Sequence, residues 1–134
     1  MEFLPKYNTG NAQIDAEHRE IFLLVRSVIE STKGNLGASV GDAIEFLANY
    51  TLNHFKTEEN IMELSDYPHY EAHKKQHDDF VIEVVDLRTR VIHETDRKAA
   101  STDIKNVIEE WIDTHILTSD MQLAAHYQQW INER

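Results

Sequence analysis

Apolar residues in this chain recur at three- and four-residue intervals over four stretches, the spacing of one face of an α-helix. Ile14, His18, Ile21, Phe22, Val25, Val28 and Ile29 form the first stripe, and the glycine-rich KGNLGASVG ends it. The second starts at about Ser39, a residue type suited to an N-cap, and follows Val40, Ile44, Leu47, Thr51, His54, Phe55, Glu58, Ile61 and Met62 until SDYPHY stops it. His73, His77, Phe80, Val84, Leu87 and Val91 line the third, which fades into the charged connector HETDRKAAS. The fourth opens near Ser101 or Thr102 and carries Ile104, Ile108, Trp111, Ile112 and His115. Both prolines and all glycines but Gly41 fall outside these stretches. The pattern predicts helices over about 13–33, 39–64, 69–93 and 101–132 behind an N-terminal arm over about 1–12. Four amphipathic helices with short turns describe an all-α, antiparallel up-down-up-down four-helix bundle, a single domain over 1–134.

The last stripe does not run true. Continued at 3.6 residues per turn past His115, it lands on Thr118, Ser119, Gln122, Ala125, His126 and Gln129, which are mostly polar. Restarted from Asp120, it meets Leu123, Ala124, Tyr127, Trp130 and Ile131. The inward face therefore shifts by about one residue between His115 and Asp120, which predicts a π-bulge or kink there.

Composition narrows the chemistry. The 134 residues hold 13 Lys and Arg against 24 Asp and Glu, a net charge of −11 with a pI near 5.0. An acidic chain lacks the cationic surface that binds nucleic acid or anionic membrane, so neither is expected as a partner. Cysteine is absent, which removes disulfides, thiolate metal sites and thiol catalysis. The start MEFLPKYNTG has no signal-peptide core, and no apolar run approaches the roughly 20 residues of a membrane span. A cytoplasmic setting is expected. Eight histidines in so small an acidic chain are the remaining anomaly.

Five of them, His18, His54, His73, His77 and His115, fall on faces otherwise made of Ile, Leu, Val and Phe, together with Glu58 and Asp120. His54 and Glu58 are four apart, as are His73 and His77, so each pair projects from adjacent turns of one face. A lone inward histidine such as His18 is most often a core residue with its hydrogen bonds satisfied, and a single His-x-x-x-Glu pair is explained by a helical hydrogen bond. Seven such residues phased onto four apolar stripes are different, because buried imidazoles and carboxylates must satisfy one another or hold a cation. His69, His93 and His126 fall off the stripes or at helix ends and read as solvated. Phe55, Trp111 and Ile112 read most simply as core packing and also as walls of a ligand pocket. Seven donors exceed a mononuclear zinc site, and His73-Lys74-Lys75-Gln76-His77 lacks the glutamate of an HExxH protease. Imidazole with carboxylate suits iron or manganese, and two ions bridged by both carboxylates and one oxo or hydroxo group would use every donor. Two iron ions are the reading taken here.

The chain resembles the bacterial hemerythrins, members of the hemerythrin family of non-heme di-iron bundles. The segments that carry the resemblance are Ile14-Asp15-Ala16-Glu17-His18, His54-Phe55-Lys56-Thr57-Glu58-Glu59, Tyr67-Pro68 followed by His73 and His77, and Trp111-Ile112-Asp113-Thr114-His115 with Asp120. The resemblance implies that His73, His77 and His115 bind one iron, that His18 and His54 bind the other, and that Glu58 and Asp120 bridge them. It implies six ligands on the first iron and five on the second, with one open position for dioxygen. Family members often carry Trp where Phe3 stands, an apolar residue where Asn11 stands and Gln where Glu17 stands, none of them a ligand. The expected function is reversible binding of dioxygen for transport, storage or delivery, with no catalytic residues and no enzyme activity. An oxygen- or redox-sensing signalling module is the alternative and a di-iron oxidase a more distant one, since oxidases use more carboxylates. A downstream oxygenase or signalling partner is left unspecified. The start at Met1 and the end just beyond Trp130 and Ile131 favour a free-standing carrier over a sensor.

Overall fold

The computed structural model describes residues 1–34 and 38–134. Four helices pack as an all-α bundle: α1 (Ala12–Ser31), α2 (Ala38–Leu64), α3 (Tyr70–Val91) and a long α4 over 97–132. Each helix packs on the one before it, and α4 returns to α1. The middle of the expected glycine turn after α1, residues 35–37, lies outside the described residues. Ser39, read as an N-cap, is instead inside α2, and so is Gly41.

Local chemistry sets the helix starts. Asn11 caps α1 by accepting a hydrogen bond from the Ile14 amide, and the Asp15 carboxylate accepts from the Thr9 amide and hydroxyl at 2.9 and 2.7 Å. Gly10 makes this entry possible with a φ of +91°. Helix α4 begins at Arg97, about four residues before the expected start, because the Asp96 side chain accepts from the amides of Lys98 and Ala99. The extra turn places Ala100 in the core. Pro5–Tyr7 form a short 3-10 turn in the arm, and Tyr7 is buried with its phenol donating to Asp113 of α4. Burial, with the Asp113 carboxylate beside it, pushes the Tyr7 phenol up to about 12. Phe3 completes the seam, edge-on to Phe22 at 5.4 Å and under the Arg19 guanidinium.

Helix α4 is not uniformly α-helical. Arg97–Ile104, Glu110–His115 and Met121–Asn132 are α-helical, whereas Lys105–Glu109 and Ile116–Asp120 are π-helical turns. The second lies where the break in the stripe predicts it; the first was not anticipated.

Two apolar clusters fill the interior. A large one includes Val25, Ile44, Leu47, Phe55, Phe80, Leu87, Ile108 and Ile112, and a small one joins Ile14, Ile61, Met62, Tyr67 and Leu123. Along every helix the polar stripe residues fall between members of the two clusters, so the bundle holds one buried polar layer sandwiched between two apolar ones.

Candidate metal centre

The polar layer contains His18 from α1, His54 and Glu58 from α2, His73 and His77 from α3, and His115 and Asp120 from α4. All seven are buried, and both carboxylates have no exposed surface. Their donor atoms fall into two groups, His73, His77 and His115 with Glu58 and Asp120, and His18 and His54 with the same two carboxylates, every donor in a group lying within 4.8 Å of the others. Each carboxylate divides its oxygens. Glu58 Oε1 is 2.9 and 3.0 Å from the Nε2 atoms of His73 and His77, while its Oε2 is 2.7 Å from His54 Nε2 and 3.5 Å from His18 Nε2. Asp120 Oδ1 is 3.2 and 3.0 Å from Nε2 of His73 and His115, while its Oδ2 is 2.9 Å from His18 Nε2.

The position of Asp120 depends on the π-turn that precedes it. His115 and Asp120 are five residues apart, which on a regular α-helix would turn them roughly 140° from one another. The π-turn Ile116–Asp120 brings both onto the inward face.

Hydrogen bonding accounts for only part of this arrangement: Nε2 of His73 and of His77 both reach Glu58 Oε1, and much of the layer is left over. Among the described residues, His18 Nδ1 and Nε2, Glu58 Oε2, His73 Nδ1 and both Asp120 oxygens have no hydrogen-bond partner, although four of the six have another donor of the layer within 3 Å or little more. The Nε2 atoms of His77 and His115 face each other at 3.2 Å, where at most one can carry a proton. Donor spacings near 3 Å are the edge lengths of an octahedron whose ligands sit about 2.1 Å from a divalent ion. Donor atoms that converge in excess of the hydrogen bonds they make with one another fit a cation.

Charge points the same way. Burial works against every charge in the layer. Even so, Glu58 and the hydrogen bond to Glu17 hold His54 up at about 10, and Asp120 holds His115 up at about 9. The surrounding imidazoles in turn keep Glu58 and Asp120 below the usual carboxylate range in spite of burial. The two carboxylates demand positive charge, and in the metal-free chain protons supply it.

Outer partners fix three of the rings. His54 Nδ1 lies 2.8 Å from Glu17 Oε1, His77 Nδ1 lies 2.9 Å from Glu59 Oε2, and His115 Nδ1 lies 2.8 Å from Gln76 Oε1, which also accepts from Ser119. Each helix thus supports a histidine of the next, α1 to α2, α2 to α3 and α3 to α4. Glu17, Glu59 and Gln76 were not among the expected site residues. Their only signal in the sequence is that each is adjacent to a ligand candidate, His18, Glu58 and His77 respectively, at the rim of the inward stripe.

The residues read as pocket walls lie against the three-histidine group. Phe55 stacks on His77 at 3.8 Å and comes within 6.1 Å of His54; Trp111 is stacked between Phe80 and His115 at 4.0 and 4.3 Å. Ile112 is buried in the same cluster. A cavity of about 150 Å³, lined by Tyr67, His69, Ala72, His73, Gln76, Ser119 and Gln122, borders the three-histidine group at His73. His69 and His93 are exposed as expected, but His126 is not free in solvent: it is half-buried against Tyr67, with Nε2 2.9 Å from the Ser65 carbonyl. That carbonyl is an orphan of the α2 C-terminus, and a neighbouring imidazole satisfies it.

Comparison with known proteins agrees with this geometry. Residues 9–127 match the family model described as the hemerythrin HHE cation binding domain. The chain belongs to the hemerythrin family. It is 31% identical over 130 residues to a bacteriohemerythrin of Stenotrophomonas maltophilia, covering 94% of this chain and 83% of that one. It is 33% identical over 113 residues to a bacteriohemerythrin of Pseudomonas aeruginosa, covering 84% and 72%, and 26% identical over 111 residues to that of Methylococcus capsulatus, covering 83% of each. No solved structure matches the chain. Among the described residues, no helix is long and apolar enough to cross a membrane.

Proposed function

We propose that this hemerythrin-family chain binds dioxygen reversibly at a non-heme di-iron centre and acts as a carrier, store or delivery protein rather than an enzyme. The observation that carries the reading is the split of each buried carboxylate between a three-histidine group and a two-histidine group. His73, His77 and His115 would hold one iron, His18 and His54 the other, with Glu58 and Asp120 spanning both. With one single-atom oxo or hydroxo bridge, the first set would supply six ligands and the second five. The deficit of one donor leaves a position for a small ligand on the two-histidine side. When bound, the iron pair supplies the two electrons that dioxygen takes up on binding and gives back on release.

The residues of the chain do the rest. Five neutral imidazoles against two carboxylates leave less negative charge around the ions than a carboxylate-rich oxidase site has, which favours reversible binding over further oxidation. Phe55 and Ile112, both 4% exposed, together with Trp111, keep water from the centre. Replacing Ile112 by Thr is therefore expected to speed autoxidation severalfold, followed as loss of the oxygenated spectrum. A reducing compartment, which keeps the irons ferrous between encounters with dioxygen, is the natural setting, so a cytoplasmic location belongs to the proposal.

The test is anaerobic loading with ferrous iron, then titration with dioxygen while metal content and the visible spectrum are recorded. About two irons per chain and a charge-transfer band that vanishes when dioxygen is removed are expected. One zinc per chain and no band would overturn the proposal, and rapid decay with release of peroxide would make the protein an oxidase.

A further inference from the structure

The outer partners are unequal, and the inequality falls on the half of the centre that has the open position. Of the two histidines there, His18 has no hydrogen-bond partner at Nδ1 among the described residues, whereas His54 donates to a carboxylate, Glu17 Oε1, at 2.8 Å. Glu17 is itself fixed. Its second oxygen accepts from Thr57 and Gln13 at 3.3 Å each, so the carboxylate is held from α1 and α2 together. An anionic acceptor at Nδ1–H draws the proton toward itself and makes Nε2 a stronger electron donor to a bound ion, while locking the tautomer and the ring plane.

We infer that Glu17 is a positioning residue for the two-histidine half: through His54 it sets how firmly that half holds its ion and how far it favours the ferric over the ferrous state. This rests on the di-iron reading above. His18 cannot supply the same control because, among the described residues, its Nδ1 has no hydrogen-bond partner. On the three-histidine half, an anionic partner is shared out differently, with Glu59 on His77, the neutral Gln76 amide on His115 and nothing on His73 Nδ1. One side chain therefore dominates the outer polarity of the oxygen-binding half.

The experiment uses the full chain loaded with iron, comparing it with Glu17→Gln, Glu17→Ala and, as a counterpart on the other half, Glu59→Gln. Glu17→Gln keeps an acceptor at Nδ1 but removes its charge. Its ferric preference is expected to fall about tenfold, read as a reduction potential about 59 mV higher for a one-electron step, with two irons retained. Glu17→Ala is expected to lose iron from the two-histidine half 10- to 100-fold more readily under a chelator, giving about one iron per chain, and Gln at the same position should restore the second. Glu59→Gln should leave the retention of that second iron unchanged. Glu17 is partly exposed, so the helix content of the metal-free variants should match the starting chain, with at most a modest drop in melting temperature from the lost hydrogen bond to His54. Unchanged potential and unchanged iron retention in both Glu17 variants would overturn the inference. A starting chain that never takes up two irons would overturn the di-iron reading and the inference with it.

Discussion

Glu58 shows what single residues contribute here. It lies on α2 one turn after His54, fully buried, and its two oxygens lie near histidines of all four helices, His18 at 3.5 Å, His54 at 2.7 Å, His73 and His77 at 2.9 and 3.0 Å, and His115 at 3.8 Å. Converting it to Gln keeps the volume but removes half of the fixed negative charge of the layer, and the amide's NH2 end must then point at imidazole nitrogens on one side. Glu58→Gln is accordingly expected to hold fewer than one iron per chain after desalting, measured by metal analysis, whereas His18→Ala, which touches only one half, should retain about one. Equal retention by the two variants would remove Glu58 from its bridging place. The seven inward donors were legible because burial and period agree: a charged residue on an apolar stripe is conspicuous. Glu17, Glu59 and Gln76 were not, because a polar residue one step from the stripe looks the same in sequence whether it faces water or a neighbouring helix. Only the packing of α1 on α2, α2 on α3 and α3 on α4 tells them apart.

At the level of the helix, α4 carries the clearest link between pattern and site. Ile104, Ile108, Ile112, Ile116 and Asp120 are all buried and all four residues apart. On a regular α-helix a four-residue repeat drifts about 40° per step, so five such positions would wind well away from one face. The two π-turns, Lys105–Glu109 and Ile116–Asp120, absorb that drift and keep all five inward. The break after His115 was legible as a change of stripe; the earlier turn was hidden because the three- and four-residue steps around Ile108 fit a regular helix equally well over so short a span. The four helices themselves were legible from their stripes, and the early start of α4 was not, since Asp96 and Ser101 are both good caps and only the backbone decides between them. The crossing of α2 and α3 makes a separate prediction. A Cβ at Gly41 would meet Ile92 Cγ2 at 2.8 Å, and Arg88 Nε donates to the Gly41 carbonyl at 3.0 Å. Alanine gains about 1 kcal/mol in helix propensity, but crowding a packed crossing costs about 1–3 kcal/mol. Gly41→Ala should therefore lower the melting temperature by a few degrees without changing metal content; a more stable variant would mean that the Ile92 side chain yields freely.

For the molecule as a whole, the polar layer ties folding to both pH and metal. Without metal, His54 and His115 are held at about 10 and about 9, above the 6.5 of an unfolded histidine. A raised pKa means that the folded chain binds protons the unfolded chain releases, so their contribution is complete below pH 6.5 and is lost as pH climbs through 9 to 10. Glu58 and Asp120 are shifted the other way, down from 4.5 and 3.8, so their contribution is complete above those values and is lost as pH falls below them. The metal-free chain should be most stable between about pH 4.5 and 6.5. A bound cation changes the slope on the alkaline side, because it takes the place of the imidazole protons and needs the Nε2 lone pairs free. Each proton so replaced removes about 1.4 kcal/mol of stability loss per pH unit. Thermal melts at pH 5.5, 7.5 and 9 should show the metal-free chain weakening steadily while the loaded chain holds, the gap between them widening with pH, and a chelator should strip the metal more readily at pH 5.5 than at 7.5. Parallel melting curves across that range would mean that the buried carboxylates are balanced by something other than protons or a metal ion, and the polar layer would lose its explanation as a cation site.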